Sequence, residues 1–324
     1  MQSELTEKIL AGDVRAAARL MRGIEDDSPG AIDELKNLYA HTGRSYIVGI
    51  TGAPGVGKST LLDALITSFR QRKLTIGVVA VDPTSPYSGG ALLGDRIRMA
   101  NHTLDKEVFI RSLASRGWSG GLARATLSFI HVLDAMGKDL ILVEAVGSGQ
   151  GEVDIGRMAD TTIVVLSPGA GDEIQMMKAG ILEAADIFVI NKADKEGAEN
   201  LRIQLEQVLS LAPHSSYDWK SPILLTAVIN RIGIEEVTQA IFDHKQYLIS
   251  TMKIEQRRKQ RAMFELIEVI EHSLRTKINN ILKAKDFQDL GEKLAVKQID
   301  PYSAAENMMG TTLSRNQTTH RQRK

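Results

Sequence analysis

The residues Gly52-Ala53-Pro54-Gly55-Val56-Gly57-Lys58-Ser59 spell G-x-x-x-x-G-K-S/T, a spacing suited to holding a polyphosphate. Glycines let the backbone curl so that successive N–H groups point inward at phosphate oxygens. Lys58 would set its ammonium by the β- and γ-phosphates, and the Ser59 hydroxyl would give an oxygen to magnesium. A β-branched apolar run ends at Thr51 and a helical pattern starts at Ser59. That strand-before, helix-after context separates such a loop from a chance glycine-rich turn. Thr60, next in the helix, is expected to join the loop in binding nucleotide.

A second group follows a later apolar run: Asn191-Lys192-Ala193-Asp194, or N-K-x-D. A carboxylate at Asp194 can accept two hydrogen bonds at once, from guanine N1–H and the 2-amino group. Adenine has no such donor pair and would leave the carboxylate desolvated and unpaired, which discriminates strongly. Lys192 would lie along the base plane, and Asn191 would brace neighbouring loops. Thr226-Ala227-Val228 ends the next run, where a backbone N–H could meet guanine O6.

Acids at the ends of other apolar runs suit the metal and the γ-phosphate. Glu144 ends one run and is followed three residues later by Gly147, whose N–H could approach the γ-phosphate. Asp82 ends another, and Asp95 lies beyond it in Gly94-Asp95-Arg96. Carboxylates on the ligand side of an open sheet are well placed for metal or water. The run Ser148-Gly149-Gln150-Gly151 reads as a nucleotide-sensing switch. Pro168-Gly169-Ala170-Gly171-Asp172-Glu173, before a helix with Gln175 and Lys178, is a second switch candidate. Arg111, Arg116 and Lys178 are each candidates to stabilise transferring phosphate charge.

Positioning these groups requires a sheet. Short β-branched runs recur at 46–51, 75–81, 108–111, 140–144, 161–166, 187–190 and 223–226, alternating with helical stretches. They are nearly continuous in apolar residues, as parallel strands covered on both faces are. The pattern predicts an α/β domain with a doubly wound, mostly parallel sheet over residues 43–243. Residues 1–42 have helical periodicity, with Ile9, Val14, Ala17, Ala18 and Met21 on one face and a turn at Ser28-Pro29-Gly30. Residues 244–310 read as helical: Met263, Leu266, Ile267, Ile270, Leu274, Ile278, Ile281 and Leu282 recur at three and four residues. Asp300-Pro301 predicts a capped helix start, and the polar tail 311–324 is expected to be disordered.

Composition narrows the class further. Lys+Arg and Asp+Glu number 40 each, so no net field draws the chain to nucleic acid or an anionic membrane. There are no cysteines, which excludes disulfides and thiolate metal sites. The seven histidines are scattered without ligand-pair spacing. No apolar run reaches the roughly 18 residues that span a bilayer, and the mixed-charge N-terminus lacks a signal pattern. The expectation is a cytoplasmic protein with no nucleic-acid or membrane partner. Arg257-Arg258-Lys259-Gln260-Arg261 reads as the solvated start of a long helix, because no aromatic residues are interleaved for base stacking.

With these motifs together the chain resembles the MeaB/ArgK family, GTPase chaperones of methylmalonyl-CoA mutase. The matching segments include Gly49-Ile50-Thr51-Gly52-Ala53-Pro54-Gly55, Val81-Asp82-Pro83, Gly94-Asp95-Arg96-Ile97-Arg98-Met99 and Glu144-Ala145-Val146-Gly147-Ser148-Gly149-Gln150. Others are Pro168-Gly169-Ala170-Gly171-Asp172, Lys178-Ala179-Gly180-Ile181 and Asn191-Lys192-Ala193-Asp194, so the similarity runs over about residues 8–290. The resemblance implies a P-loop G domain of the signal-recognition/MinD-like class that binds GTP or GDP with Mg2+ and hydrolyses GTP slowly. It implies a homodimer, with 244–310 as the dimerisation region. It also implies a partner, an adenosylcobalamin-dependent acyl-CoA mutase whose cofactor loading the GTP state gates and whose radical chemistry it protects. By residue, Lys58, Ser59, Asp82, Asp95 and Glu144 would serve phosphate and metal, Asp194 would read guanine, and Asp172 to Lys178 would be the mutase-responsive switch. Ala145, Gly151 and Thr226 depart from the Thr, Ser and Ser usual in the family.

Other readings have weaker support in the residues. A small-molecule P-loop kinase needs no guanine reader. A GTPase that delivers nickel or another metal usually shows a Cys/His cluster, which is missing. A signal-recognition GTPase would want a Met-rich RNA-binding domain, and the helical tail has only Met252, Met263, Met308 and Met309.

Overall fold

In a computed structural model of the chain, the described residues are 3–82, 102, 104–114, 121–145, 151–169, 181–210, 219–282 and 285–306. All seven expected strands form: β1 (Tyr46–Thr51), β2 (Ile76–Asp82), β3 (Val108–Ala114), β4 (Leu140–Glu144), β5 (Thr161–Leu166), β6 (Ile187–Ile190) and β7 (Ile223–Leu225). They make one sheet in the order β3-β2-β4-β1-β5-β6-β7, with every pairing parallel. Strand β1 is central. The chain leaves it toward β2 on one side, and after β4 crosses to β5 on the other. Ligands of open α/β sheets bind at the carboxyl ends of strands where the order switches in this way, here between β1 and β4.

Both faces of the sheet are covered, which is why the strands read as apolar runs rather than alternations. On one face Val48, Ile50, Val78 and Ile163 pack with Leu61, Leu65 and Phe69 of α4 (Lys58–Gln71), Leu205 of α8 (Ala198–Ser210) and Ile241 of α9 (Ile234–Ser250). On the other, Ile47, Val79, Ile141 and Val143 pack with Phe129 and Leu133 of α5 (Gly121–Ala135) and Ile155 of α6 (Gly151–Met158). A short α7 (Ile181–Ala184) precedes β6.

The first 42 residues fold as α1 (Glu4–Leu10), α2 (Val14–Glu25) and α3 (Pro29–Tyr39), whose Ile9, Leu20, Met21 and Leu38 join the second core. The expected single face differs at Val14, which is 48% exposed at the first turn of α2. There the Asp13 carboxylate caps a new helix by accepting the Ala16 N–H at 2.8 Å. Ser28-Pro29-Gly30 is not a free turn either. Pro29 is the first residue of α3, a place that suits its fixed φ and missing N–H. Arg111, on β3, pairs with Glu25, and Arg124, on α5, pairs with Asp27 at 2.5 Å. The end of α2 is thereby tied to the sheet.

Residues Met1–Glu268 form one compact unit and Val269–Lys324 a second. Helix α10 (Lys253–Leu282) begins in the first. The second contains α11 (Lys285–Ala295) and a helical turn after Asp300. As its sequence implies, the Asp300 carboxylate accepts the N–H groups of Tyr302 and Ser303, at 2.9 and 3.0 Å. Among the described residues no helix is long and apolar enough to cross a membrane.

Candidate nucleotide site

At the exit of β1 the chain passes so close to β5 that only glycine fits. Gly52 has φ +143°, and a Cβ there would lie 2.2 Å from the Val165 carbonyl oxygen. Gly57, at φ +99°, is equally constrained, because a Cβ would meet the Asn191 amide nitrogen at 2.3 Å. Between them Val56 is buried in the core at 1% exposure, an anchor that sequence reasoning did not single out. The loop is therefore held from both sides and delivers the N-terminus of α4, whose first N–H groups have no acceptor within the helix, to the carboxyl edge of the sheet.

Two side chains at the start of α4 face this edge. The Lys58 ammonium donates to the carbonyls of Gly52 and Ala53, at 2.7 and 3.1 Å. The Ser59 hydroxyl donates to Glu144 Oε1 at 2.7 Å, and Glu144 ends β4 with 5% exposure. A serine hydroxyl beside a buried carboxylate is a set of hard oxygen donors. It fits magnesium, which takes one or two protein oxygens and fills its remaining positions with water and phosphate.

The expected base-reading residues come to the same edge. Beyond β6, Asn191 is buried and its amide spans two loops. Its Nδ2 donates to Val56 O at 2.8 Å, while its Oδ1 accepts from Thr226 Oγ1 at 3.2 Å and from the Val228 N–H at 3.4 Å. Lys192 takes a left-handed φ of +58° and donates through Nζ to Gly55 O at 2.7 Å. The Ala193 N–H donates to Thr226 O at 2.9 Å. Thr226, Ala227 and Val228 are buried, and Ala227 bridges to Ile232. Asp194 is exposed. Three sequence-distant segments, 52–59, 191–194 and 226–228, are thus joined by direct hydrogen bonds into one surface.

Other expected residues are not placed. The backbone of Asp82 closes β2 opposite Ala114, but its side chain lies outside the described part. Asp95, Gly147, Gln150, Asp172, Glu173 and Lys178 also lie outside the described residues, as does Arg116. Arg111 is not at the phosphate edge: its guanidinium is engaged by Glu25 of α2.

Comparison with known proteins gives the family and the fold. The family model for the methylmalonyl-CoA mutase-associated GTPase MeaB matches residues 17–283. A putative GTPase of Pyrococcus abyssi is 46% identical over 95% of this chain and 96% of its own length. The GTPase ArgK of Escherichia coli is 31% identical over 88% of this chain and 87% of its own. The crystal structure of a LAO/AO transport system kinase superposes with a TM-score of 0.69 at 24% identity, covering 96% of this chain and 97% of that one. That likeness shows the fold.

Proposed function

This chain belongs to the family of methylmalonyl-CoA mutase-associated GTPases, and on that premise we propose that its GTPase cycle serves an adenosylcobalamin-dependent acyl-CoA mutase. Hydrolysis of GTP to GDP and phosphate is the activity of the family. The observation that carries the site assignment is the Asn191 amide, which ties the phosphate loop to both base-reading segments.

In this reading the 52–59 loop and the N-terminus of α4 cradle the phosphates, and Asp194 accepts from guanine N1–H and the 2-amino group. The Val228 N–H already serves Asn191, so of the 226–228 segment the Ala227 N–H is the better donor to guanine O6, after breaking its 3.2 Å bond to Ile232 O. Ser59 and Glu144, with Asp82 and Asp95 as further acids, would hold magnesium, which would supply charge neutralisation to the phosphate oxygens. Lys58 exchanges a loop carbonyl for those oxygens. A water attacks the γ-phosphorus in line, the bond to the β–γ bridging oxygen breaks, GDP leaves with the electron pair, and the water's proton passes to phosphate or solvent. The chain contributes positioning and charge rather than covalent chemistry, so turnover alone should be slow.

The switch candidates Gln150 and Asp172, Glu173 and Lys178 would carry the nucleotide state to the mutase, gating cofactor loading. A homodimer is part of the proposal. Met263, Leu266, Ile267, Ile270, Leu274 and Ile278 on α10 are each about half exposed, more apolar surface than one helix normally leaves to water. Sedimentation as a monomer at micromolar concentrations would remove that part.

The test is GTP turnover with and without a purified adenosylcobalamin-dependent acyl-CoA mutase, with Asp194→Ala as control. Acceleration by the mutase that disappears in the variant is the expected result. Unaccelerated hydrolysis with every such mutase would leave a GTPase with a different client, for example one that delivers another cofactor or metal.

A further inference from the structure

The arginines that open α10 do not face solvent as the run 257–261 suggests. Arg257 forks onto Asp186, with NH2 to Oδ1 at 2.6 Å and NH1 to Oδ2 at 2.8 Å, and NH1 also donates to Asp160 O at 2.7 Å. One turn on, Arg261 NH1 donates to Asp160 Oδ1 at 2.8 Å and Met158 O at 3.0 Å. The i, i+4 spacing puts both guanidinium groups on one face of the helix. Their partners are buried: Asp160 is 0% and Asp186 6% exposed.

Each aspartate sits directly before a strand and adds a side-chain rung to the sheet. Asp160, before β5, accepts the Ile47 N–H of β1 through Oδ2 at 2.9 Å. Asp186, before β6, accepts the Thr162 N–H of β5 through Oδ2 at 2.8 Å, and its carbonyl accepts from Trp219 Nε1 at 2.7 Å. The clamp therefore grips the amino ends of β1, β5 and β6. The carboxyl ends of β1 and β6 carry the phosphate loop and the Asn191–Asp194 turn. Strand β6 has four residues, so five residue steps separate Asp186 from Asn191, and clamp and turn are only about 16 Å apart at the ~3.3 Å rise of a parallel strand.

A nucleotide holds its base and phosphates at a separation fixed within narrow limits by its covalent frame. The site must match that separation, and what sets it here is the relative height of β1 and β6, neighbours across β5. We infer that Arg257 and Arg261 are positioning residues for guanine selection, which fix the height of the Asn191–Asp194 turn against the phosphate loop from the opposite edge of the sheet. The inference rests on the reading of Asp194 as the guanine acceptor.

The experiment measures the affinity of the full chain for GDP, for inosine diphosphate, which lacks the 2-amino group, and for tripolyphosphate, which reports the phosphate loop alone. Melting temperature is followed alongside. Arg257→Leu should lower the GDP-to-inosine-diphosphate preference by about 5-fold or more, within the range of indirect coupling, and leave tripolyphosphate affinity unchanged. Arg257→Lys keeps the charge but cannot fork onto both Asp186 oxygens. It should lose part of the preference, and it is the variant on which the ratio is read if Arg257→Leu does not fold. A lower melting temperature with the preference intact in both folded variants would overturn the inference, since that is what a purely structural clamp does. Failure of the underlying reading looks different. Wild-type protein would then bind GDP and inosine diphosphate alike, and Asp194→Ala would leave GDP affinity unchanged.

Discussion

Asn191 and Asp194 lie three residues apart in one motif, yet their truncation should have opposite signatures. Asn191 is 4% exposed and its amide is the partner of the Val56 carbonyl, the Thr226 hydroxyl and the Val228 N–H. Asn191→Ala leaves all three without that partner inside the protein. The bonds to Val56 and Thr226 are of ordinary length, and the 3.4 Å contact to Val228 is weaker. At ~1–1.5 kcal/mol for each of the first two and less for the third, the loss is about 3 kcal/mol. At about 2–4 °C per kcal/mol for a domain of this size, that lowers the melting temperature by about 6–12 °C. Asp194 is exposed and forms no hydrogen bond within the described residues, so Asp194→Ala should change stability by no more than ~0.5 kcal/mol. Its cost falls on the ligand. Two charge-assisted bonds to guanine, at ~1.5–3 kcal/mol each, amount to a loss of about 100-fold or more in GDP affinity. The assay is differential scanning calorimetry of ligand-free protein beside calorimetric titration with GDP and ADP. Equal melting shifts in the two variants, or a GDP-to-ADP preference that survives Asp194→Ala, would refute the division between brace and reader.

Other consequences can be checked separately. Gly52→Ala places a methyl 2.2 Å from a backbone carbonyl oxygen at φ +143°. With about 1–3 kcal/mol of backbone strain before that clash is relieved, the variant should melt lower and bind neither GDP nor tripolyphosphate at wild-type affinity. Wild-type melting and binding would contradict the close approach of β1 to β5. His244 is fully buried, with Nδ1 in contact with Thr161 Oγ1 at 2.8 Å. Burial lowers its pKa to about 4, outweighing Asp186 at 3.3 Å, a carboxylate already engaged by Arg257. The unfolded chain thus takes up a proton near pH 6.5 that the folded chain refuses. Stability is full above that pH and is lost as pH falls from about 6.5 toward 4, by up to ~1.4 kcal/mol per pH unit and ~3 kcal/mol in all. Urea unfolding between pH 7.5 and 4.5 should show this slope reduced in His244→Gln, and identical slopes would count against it.

What was legible in the sequence follows from where the information lies. The strands could be read because β1, β4, β5 and β6 are buried along their whole length and the others largely apolar, and the phosphate loop because its chemistry is local to eight positions. The clamp could not be read in the same way. Arg257 and Arg261 have the composition and spacing of a solvated helix face, and their partners Asp160 and Asp186 lie 71 to 101 residues away. Each aspartate, one residue before an apolar run, looks like an ordinary turn residue. The one available signal was the i, i+4 arginine pair on a helix together with two strand-leading aspartates, and nothing local connects them. Arg111 failed for a related reason. Its position on a strand is visible in sequence, but which face its side chain takes, toward Glu25 rather than toward phosphate, depends on where α2 packs.

The described site divides its polar groups into those already bound to one another and those resting on replaceable partners, and the division favours ligand binding. Asn191, Thr226 and the Val228 N–H are committed to one another beneath the surface, so the spacing of base turn and phosphate loop exists before a nucleotide arrives. Lys58 and Lys192, by contrast, lay their ammonium groups on carbonyls of Gly52, Ala53 and Gly55. A carbonyl is a dipole and a phosphate oxygen carries charge, so for Lys58 the exchange from the first to the second is favourable, and strongly so where water is excluded. Lys192 can keep its hold on Gly55 while its methylene stem covers the base, which would let the base stiffen the loop that grips the phosphates. The segments 52–59, 191–194 and 226–228 therefore have little ordering left to do on binding, a term that otherwise erodes affinity. On this argument selectivity rests on the height at which β6 presents Asp194, and affinity on how completely Lys58 transfers from loop to phosphate.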